Sequence, residues 1–390
     1  MFTIDSYLPT RIVFGYGRLD DLKSMDLPGK KALICVTADG LMQKLGNLQR
    51  VEALLDENGT AYAVYDQVMP NPNKSCVEAA AALAKQEGCD FTIGLGGGSS
   101  IDTAKCCAIL MRTEGDLWEY AYTGTGGRRE ISDAAPVVTI TTTCGTGTEV
   151  DQYCVITNEK TQEKLDFTTE AIFPAISIID PQLMMSLPRS QTIYQGFDAL
   201  FHNAECYVTN GHRNRLLDLY SADGVRMVAQ NLAKVVSDPA DADARTGLAY
   251  AADILGGYSM ALDTVTSHHI LGQTLGGMYP TFPHGATLIT VAEAYYAKVC
   301  PLLPDEFDEL GEMMGETRDP AAPGTAYLRA LVRLLDETGA RNLKMSDFGV
   351  RKEDFRKIVD MTVDQVGIDL DRYTLTKQDF LDILEASWKE

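Results

Sequence analysis

The chain keeps two hydrophobic rhythms, and one gives way to the other near its middle. In the first half, short unbroken apolar runs at residues 11–17, 31–37, 61–65, 91–95, 136–140 and 175–179 are bounded by glycine, proline or polar residues. Runs of that kind read as strands buried on both faces. Between them lie segments with helical periodicity, such as 48–58 closing on Gly59 and 76–86 closing before Gly88. Strand, helix, strand in that order predicts a parallel sheet with crossover helices. Residues 153–157, a turn at Asn158-Glu159 and the return through Lys164 read as a hairpin.

Beyond Pro188 the β-branched runs nearly vanish and helical periodicity takes over. Helices are expected at 192–209, 214–236, 241–272, 286–296, 305–315, 322–338, 352–363 and 377–388. The pattern predicts an α/β domain over 1–187 and an all-α domain over 188–390.

Composition narrows the function classes. The 390 residues are 45% hydrophobic and 23% charged, a globular mixture, and the formal net charge is −21. So acidic a surface repels phosphate backbones and anionic lipid, which sets nucleic-acid and membrane-surface partners aside. Neither a secretory leader nor an apolar run long enough to span a bilayer is present, so a cytoplasmic setting is expected. Nine cysteines, an odd number irregularly spaced, read as reduced thiols.

Two loops carry phosphate chemistry. After 91–95 comes Gly96-Gly97-Gly98-Ser99-Ser100 at the start of a helix, where small residues let backbone N–H groups crowd around a pyrophosphate. Ser99 and Ser100 are expected to cap that helix. The spacing is neither Gly-x-Gly-x-x-Gly nor a Walker loop. After 136–140 comes a run of hydroxyls and glycines from Thr141 to Glu149, suited to ribose, phosphate or a nicotinamide amide. Two such loops at the carboxyl ends of strands predict a dinucleotide site, where tight packing alone would explain one.

The second half holds different chemistry. Asp198 and His202 are four apart, so a helix presents both on one face. The chain has five histidines, and three more of them, His268, His269 and His284, lie in or beside 267–285. That stretch reads as a helix broken at Gly276-Gly277 and followed by a proline-bounded loop. One helical and one loop histidine are expected to join Asp198 and His202. Three imidazoles and one carboxylate suit Fe(II) or Zn(II) with a position left open. Singly, an Asp-x-x-x-His pair or a Pro-His-Gly turn is ordinary; concentration of so scarce a residue below two phosphate loops is not.

Gly96-Gly97-Gly98-Ser99 with Asp102 and Lys105, the 141–150 loop, the Gly196-to-His202 segment, and Leu275-Gly276-Gly277 with Pro283-His284-Gly285 stand in fixed order. Together they resemble the iron-containing (group III) alcohol dehydrogenase family over essentially the whole chain. The resemblance implies a Rossmann-like N-terminal domain, an all-α C-terminal domain and a site in the cleft between them. It implies Asp198, His202, His269 and His284 as metal ligands, His269 being preferred to His268 by register with Leu275-Gly276-Gly277. Gly96, Gly97, Gly98 and Ser99 then correspond to the pyrophosphate loop and Asp102 to a cofactor-contacting acid. Thr141, Thr142 and Thr146 match nicotinamide and phosphate contacts, and Lys164 a ribose-binding lysine.

The implied reaction is hydride transfer between nicotinamide C4 and a small alcohol or aldehyde held on a divalent ion, Fe2+ or else Zn2+. Where the family's NAD-selecting aspartate follows the second strand, this chain has Ala38 and then Asp39, which leans the NAD(P) choice towards NADP. A homodimer or larger homo-oligomer is also implied. Two departures stand out: a histidine common one turn after the third ligand is Gln273 here, and the spacing to His284 is one residue longer. The rivals are a dehydroquinate synthase-like lyase, whose phosphorylated, carboxylated substrate needs a cluster of basic side chains of which the stretches around Asp198 and His284 offer few, and a nucleotide-binding sensor with a structural metal. Maleylacetate reductase lacks the metal, which the four ligands disfavour.

Overall fold

The computed structural model describes residues 4–389. They form two compact units, Tyr7–Ser186 and, with the short stretch before Tyr7, Leu187 onward. Six parallel strands make the sheet of the first unit: β1 (Arg11–Phe14), β2 (Lys31–Thr37), β3 (Ala61–Val68), β4 (Phe91–Gly96), β5 (Val137–Thr141) and β8 (Ile176–Ile179), in the order β1-β8-β5-β4-β2-β3. β6 (Tyr153–Asn158) and β7 (Glu163–Thr168) form a separate antiparallel hairpin. β4, β5 and β8 are buried at every residue, which is why each reads as an unbroken apolar run.

Helices α1 (Leu41–Lys44), α2 (Asn47–Asn58), α3 (Lys74–Glu87) and α4 (Gly98–Arg112) complete this unit. Leu48, Val51 and Leu55 of α2 join Leu19, Leu22, Ile34, Ile93, Ile140 and Ile178 in one apolar cluster on one face. α4 contributes to the other face, and lies so close to β4 that a Cβ on Gly94 would sit 2.7 Å from Ile101 Cα. The strand order has a functional consequence. From β2 the chain leaves towards β3 on one side, and from its neighbour β4 towards β5 on the other. The carboxyl ends of β2 and β4 therefore flank a topological switch point, the place where such sheets leave a crevice for a nucleotide.

The second unit contains α5 (Arg189–Asn210), α6 (Arg215–Ser237), α7 (Ala242–Ala249), α8 (Gly257–Leu262), α9 (Ser267–Met278), α10 (His284–Val299), α11 (Pro304–Met313), α12 (Thr325–Thr338), α13 (Phe355–Asp360) and α14 (Lys377–Ser387). α5 is its central rod: every residue from Gly196 to Asn210 is buried. Gly196 is required there, since a Cβ would lie 2.3 Å from Leu232 Cδ1 on α6.

Three sequence expectations are corrected. The single helix expected at 241–272 is two: a π-helical segment, Tyr250–Gly256, joins α7 to α8, and the rod then ends at Asp263, whose backbone is extended. Thr266 caps a fresh start for α9, its hydroxyl accepting from His268 N. α9 is not broken at Gly276-Gly277 but runs on to Met278, both glycines being buried in packing that outweighs their low propensity. Ser99 and Ser100 do not cap α4 either; Gly97 is the cap residue and makes no side-chain bond. No helix among the described residues is long and apolar enough to cross a membrane.

Candidate metal centre and nucleotide loops

The centre is assembled from three helix segments. α5 presents Asp198 and His202 one turn apart, α9 supplies His269 in its first turn, and α10 opens on His284. His284, expected in a loop, is thus the first helical residue, after Pro283. Gly285 explains how the two helices come so close, because a Cβ there would lie 2.1 Å from the Tyr194 carbonyl oxygen on α5.

All three rings turn Nε2 towards one atom. Asp198 Oδ1 is 3.6 Å from His202 Nε2, 3.4 Å from His269 Nε2 and 3.6 Å from His284 Nε2. That oxygen is buried and receives no hydrogen bond from the described residues. For four ligands around one ion at about 2.1 Å, the tetrahedral edge is about 3.4 Å, so these spacings fit a shared cation better than a set of hydrogen bonds. Asp198, His269 and His284 offer ligand atoms that all lie within 4.8 Å of one another. Burial would raise the Asp198 pKa, but His202, His284 and His269 outweigh it and hold the carboxyl below the usual carboxylate range. Burial would also lower that of His269; Glu205 and Asp198 instead raise it to about 9.

His268 belongs to the packing. Its Nδ1 is 2.8 Å from Glu205 Oε1 and its Nε2 is 3.1 Å from the Leu288 carbonyl oxygen, so both ring nitrogens are occupied by protein. Gln273, half-buried, lies one turn after His269 on α9. Sequence reasoning missed Glu205, a fully buried carboxylate behind His269; its position three after His202, on the face that carries Asp198, was the available signal.

The two candidate nucleotide loops meet in the first unit. Gly96 of β4 pairs in register with Thr141 of β5, and Thr142 N donates to the Gly96 carbonyl at 3.0 Å. Cβ atoms on Gly97 and Gly98 would lie 2.8 Å from Thr143 Cγ2 and 2.7 Å from Thr146 Cγ2. The glycines are therefore what let the two loops lie against each other. Gly96, at φ +143°, also needs a backbone that side chains resist. Thr141 Oγ1 donates to the Thr143 carbonyl, and Ser99 is the second residue of α4, directly after Gly98.

Behind the loops is a buried charged layer. Asp102 accepts from Thr148 Oγ1 and Val155 N, and burial raises its pKa to about 6. The wholly buried Lys105 ammonium reaches Thr148, the Asp151 carboxylate and backbone, and the Tyr153 carbonyl, all within 2.9 Å. Glu149, equally buried, has its pKa raised by desolvation to about 7, with Thr146 Oγ1 at 3.4 Å. Lys164 Nζ is 3.1 Å from Asn71 Oδ1. Ala38 is exposed just past β2, its N–H bonded to the Val68 carbonyl. Asp39 Oδ1 accepts from Thr37 Oγ1 at 2.8 Å and Leu41 N at 2.9 Å, holding that oxygen within its own turn.

Comparison with known proteins covers both units. The family model described as iron-containing alcohol dehydrogenase matches residues 9–181, and that described as Fe-containing alcohol dehydrogenase family, C-terminal, matches 192–388. The chain is 33% identical to 1,3-propanediol dehydrogenase of Klebsiella pneumoniae over 346 residues, 86% of each chain. Its fold matches that of NADH-dependent butanol dehydrogenase A from Thermotoga maritima with a TM-score of 0.90 at 30% identity, over 100% of this chain and 99% of the other. An alcohol dehydrogenase from Oenococcus oeni matches with a TM-score of 0.89 at 27% identity, over 99% of this chain and 100% of the other.

Proposed function

The chain belongs to the iron-containing alcohol dehydrogenase family, metal-dependent and nicotinamide-linked oxidoreductases acting on CH–OH groups, and from that premise we propose which of its residues do the work. Asp198, His202, His269 and His284 hold the divalent ion; the single observation that carries this is the buried, hydrogen-bond-free Asp198 Oδ1 ringed by three Nε2 atoms. Three neutral nitrogens and one oxygen suit Fe2+, with Zn2+ able to take the same donors. When bound, such an ion supplies Lewis acidity to an alcohol or carbonyl oxygen.

The chain's own groups do the rest. Asp198 and Glu205 balance the charge of the centre, while α5, α9 and α10 fix the rings before any ligand arrives. In the 1–187 domain, Gly96, Gly97, Gly98 and Ser99 take the pyrophosphate on the N-terminus of α4, as the switch-point topology favours. Thr141, Thr142 and Thr146 line the adjoining loop for phosphate and nicotinamide, Lys164 serves the ribose, and Asp102 supports the loop through Thr148 and Val155. The 188–390 domain contributes the metal and the substrate pocket. Gln273 cannot titrate, so the substrate proton leaves through water or the ribose.

We propose NADP(H) over NAD(H), because Ala38 offers no carboxylate against a 2′-phosphate and Asp39 Oδ1 is held by its own turn. β1 is an edge strand, which offers a second copy a pairing edge and supports a homo-oligomer. A cytoplasmic setting completes the reading, supported by nine cysteines none of which is in a disulfide among the described residues. The test is metal analysis together with turnover of an alcohol and aldehyde panel with both cofactors. His284→Ala should lose metal and turnover yet keep nucleotide binding. A folded variant that loses both, or keeps metal, refutes the assignment.

A further inference from the structure

Glu205 sits behind the centre rather than in it. It follows Asp198 by seven and His202 by three on α5, so the rod that carries two of the proposed ligands also carries this carboxylate. Its Oε1 is 2.8 Å from His268 Nδ1, 2.9 Å from His269 Nδ1 and 3.3 Å from the Tyr296 hydroxyl. Its Oε2 accepts from Thr266 N at 2.8 Å and from Thr266 Oγ1 at 2.9 Å. Thr266 is the cap of α9. One side chain therefore pins the start of α9 to α5 and faces the far nitrogen of the ring that α9 delivers.

We propose that Glu205 is a positioning residue for the metal: its carboxylate, in ion-pair contact with His269 Nδ1 at 2.9 Å, draws the ring proton to that nitrogen and leaves the lone pair on Nε2, the nitrogen that faces Asp198. A carboxylate behind a ligating imidazole sets the tautomer and raises the ligand's basicity. Glu205, His268 and His269 also lie within 4.8 Å of one another, but we read them as support and not as a second cation site. His268 Nδ1 is hydrogen-bonded to Glu205 at 2.8 Å and its other nitrogen lies against the Leu288 carbonyl, while His269 Nδ1 meets the same carboxylate as an ion pair at 2.9 Å and has its Nε2 turned to Asp198.

This rests on the four-ligand reading, so the experiment carries His284→Ala as its control. Metal-stripped parent, Glu205→Gln, Glu205→Asp and Thr266→Val proteins are titrated with Co2+, following the visible absorption of the bound ion, with melting temperature measured alongside. The Gln side chain can turn its NH2 towards Nδ1 and so favour the wrong tautomer. It is expected to weaken Co2+ binding about 10- to 100-fold and alter the spectrum. Glu205→Asp should recover part of the affinity, and Thr266→Val should lower the melting temperature while binding Co2+ as the parent does. Parent-like affinity and spectrum in Glu205→Gln overturn the proposal. So does an equal loss of affinity in Thr266→Val at equal loss of stability. Should Glu205→Gln be insoluble, parent-like Co2+ binding by Glu205→Asp, whose shorter arm withdraws from His269, overturns it instead. If His284→Ala binds Co2+ like the parent, the ligand assignment fails and not the role of Glu205.

Discussion

At the scale of single residues, protonation couples to metal uptake. His269 is raised to about 9 in the metal-free protein, so below that pH an ion must displace its proton. Affinity should fall as pH is lowered, by up to about tenfold per unit for one proton, in calorimetric titrations between about pH 8.5 and 6.5. An affinity that does not move with pH would count against His269 as a ligand. Glu149 makes an opposite case. Its pKa is raised by burial from 4.5 to about 7, so the fold favours the neutral form. Its contribution to stability is full below the unfolded value and drains away as pH climbs through about 7. Glu149→Gln should therefore match the parent near pH 5 and exceed it near pH 8 in denaturant midpoint. At this scale the sequence was partly legible. Asp198 and His202 announce themselves by spacing, whereas Glu205 looks like any helical acid until its two histidines are seen around it.

At the scale of elements, glycines decide how closely segments approach. Gly98→Ala places a methyl 2.7 Å from Thr146 Cγ2, overpacking that should cost about 1–3 kcal/mol and weaken nucleotide binding. Adding Thr146→Ser removes the opposing methyl, keeps the hydroxyl, and should restore part of both losses in a double-mutant cycle. Gly285→Ala has no such remedy, because its new methyl meets the Tyr194 backbone oxygen. The start of α10 must move, and metal affinity should drop although no ligand has changed. Strands of the first unit were readable because runs such as Phe91–Gly96 are buried on both faces and end in glycine. Helix limits in the second unit were not. Periodicity continues across Asp263–Thr266, and only the capping of α9 by Thr266 shows the restart. The π-helical turn at Tyr250–Gly256 likewise has no periodic mark of its own; Asn203 of α5 donates to the Ala251 carbonyl there at 3.1 Å.

For the molecule as a whole, ligand sites and charge set the conditions of stability. The proposed nucleotide loops and the proposed metal ligands fall in different units, so a chelator should lower the melting temperature by removing a ligand of the folded state, and leave NAD(P)H fluorescence titration nearly unchanged. Loss of nucleotide binding on chelation would contradict that separation. A net charge of −21 also implies self-repulsion that salt screens, since the Debye length shrinks from about 30 Å at 0.01 M to about 10 Å at 0.1 M. Strand order, which creates the switch point between β2 and β4, could not be read from the chain, because pairing joins segments far apart in sequence.

The four proposed ligands differ in their access to water: the side chains of Asp198, His202 and His269 are 5%, 7% and 2% exposed, and that of His284 is 25%. Two of the buried three ride on one continuous rod that cannot yield singly. For an ion held by these four, exchange is expected to begin at the His284 ring, the side on which the first turn of α10 meets water.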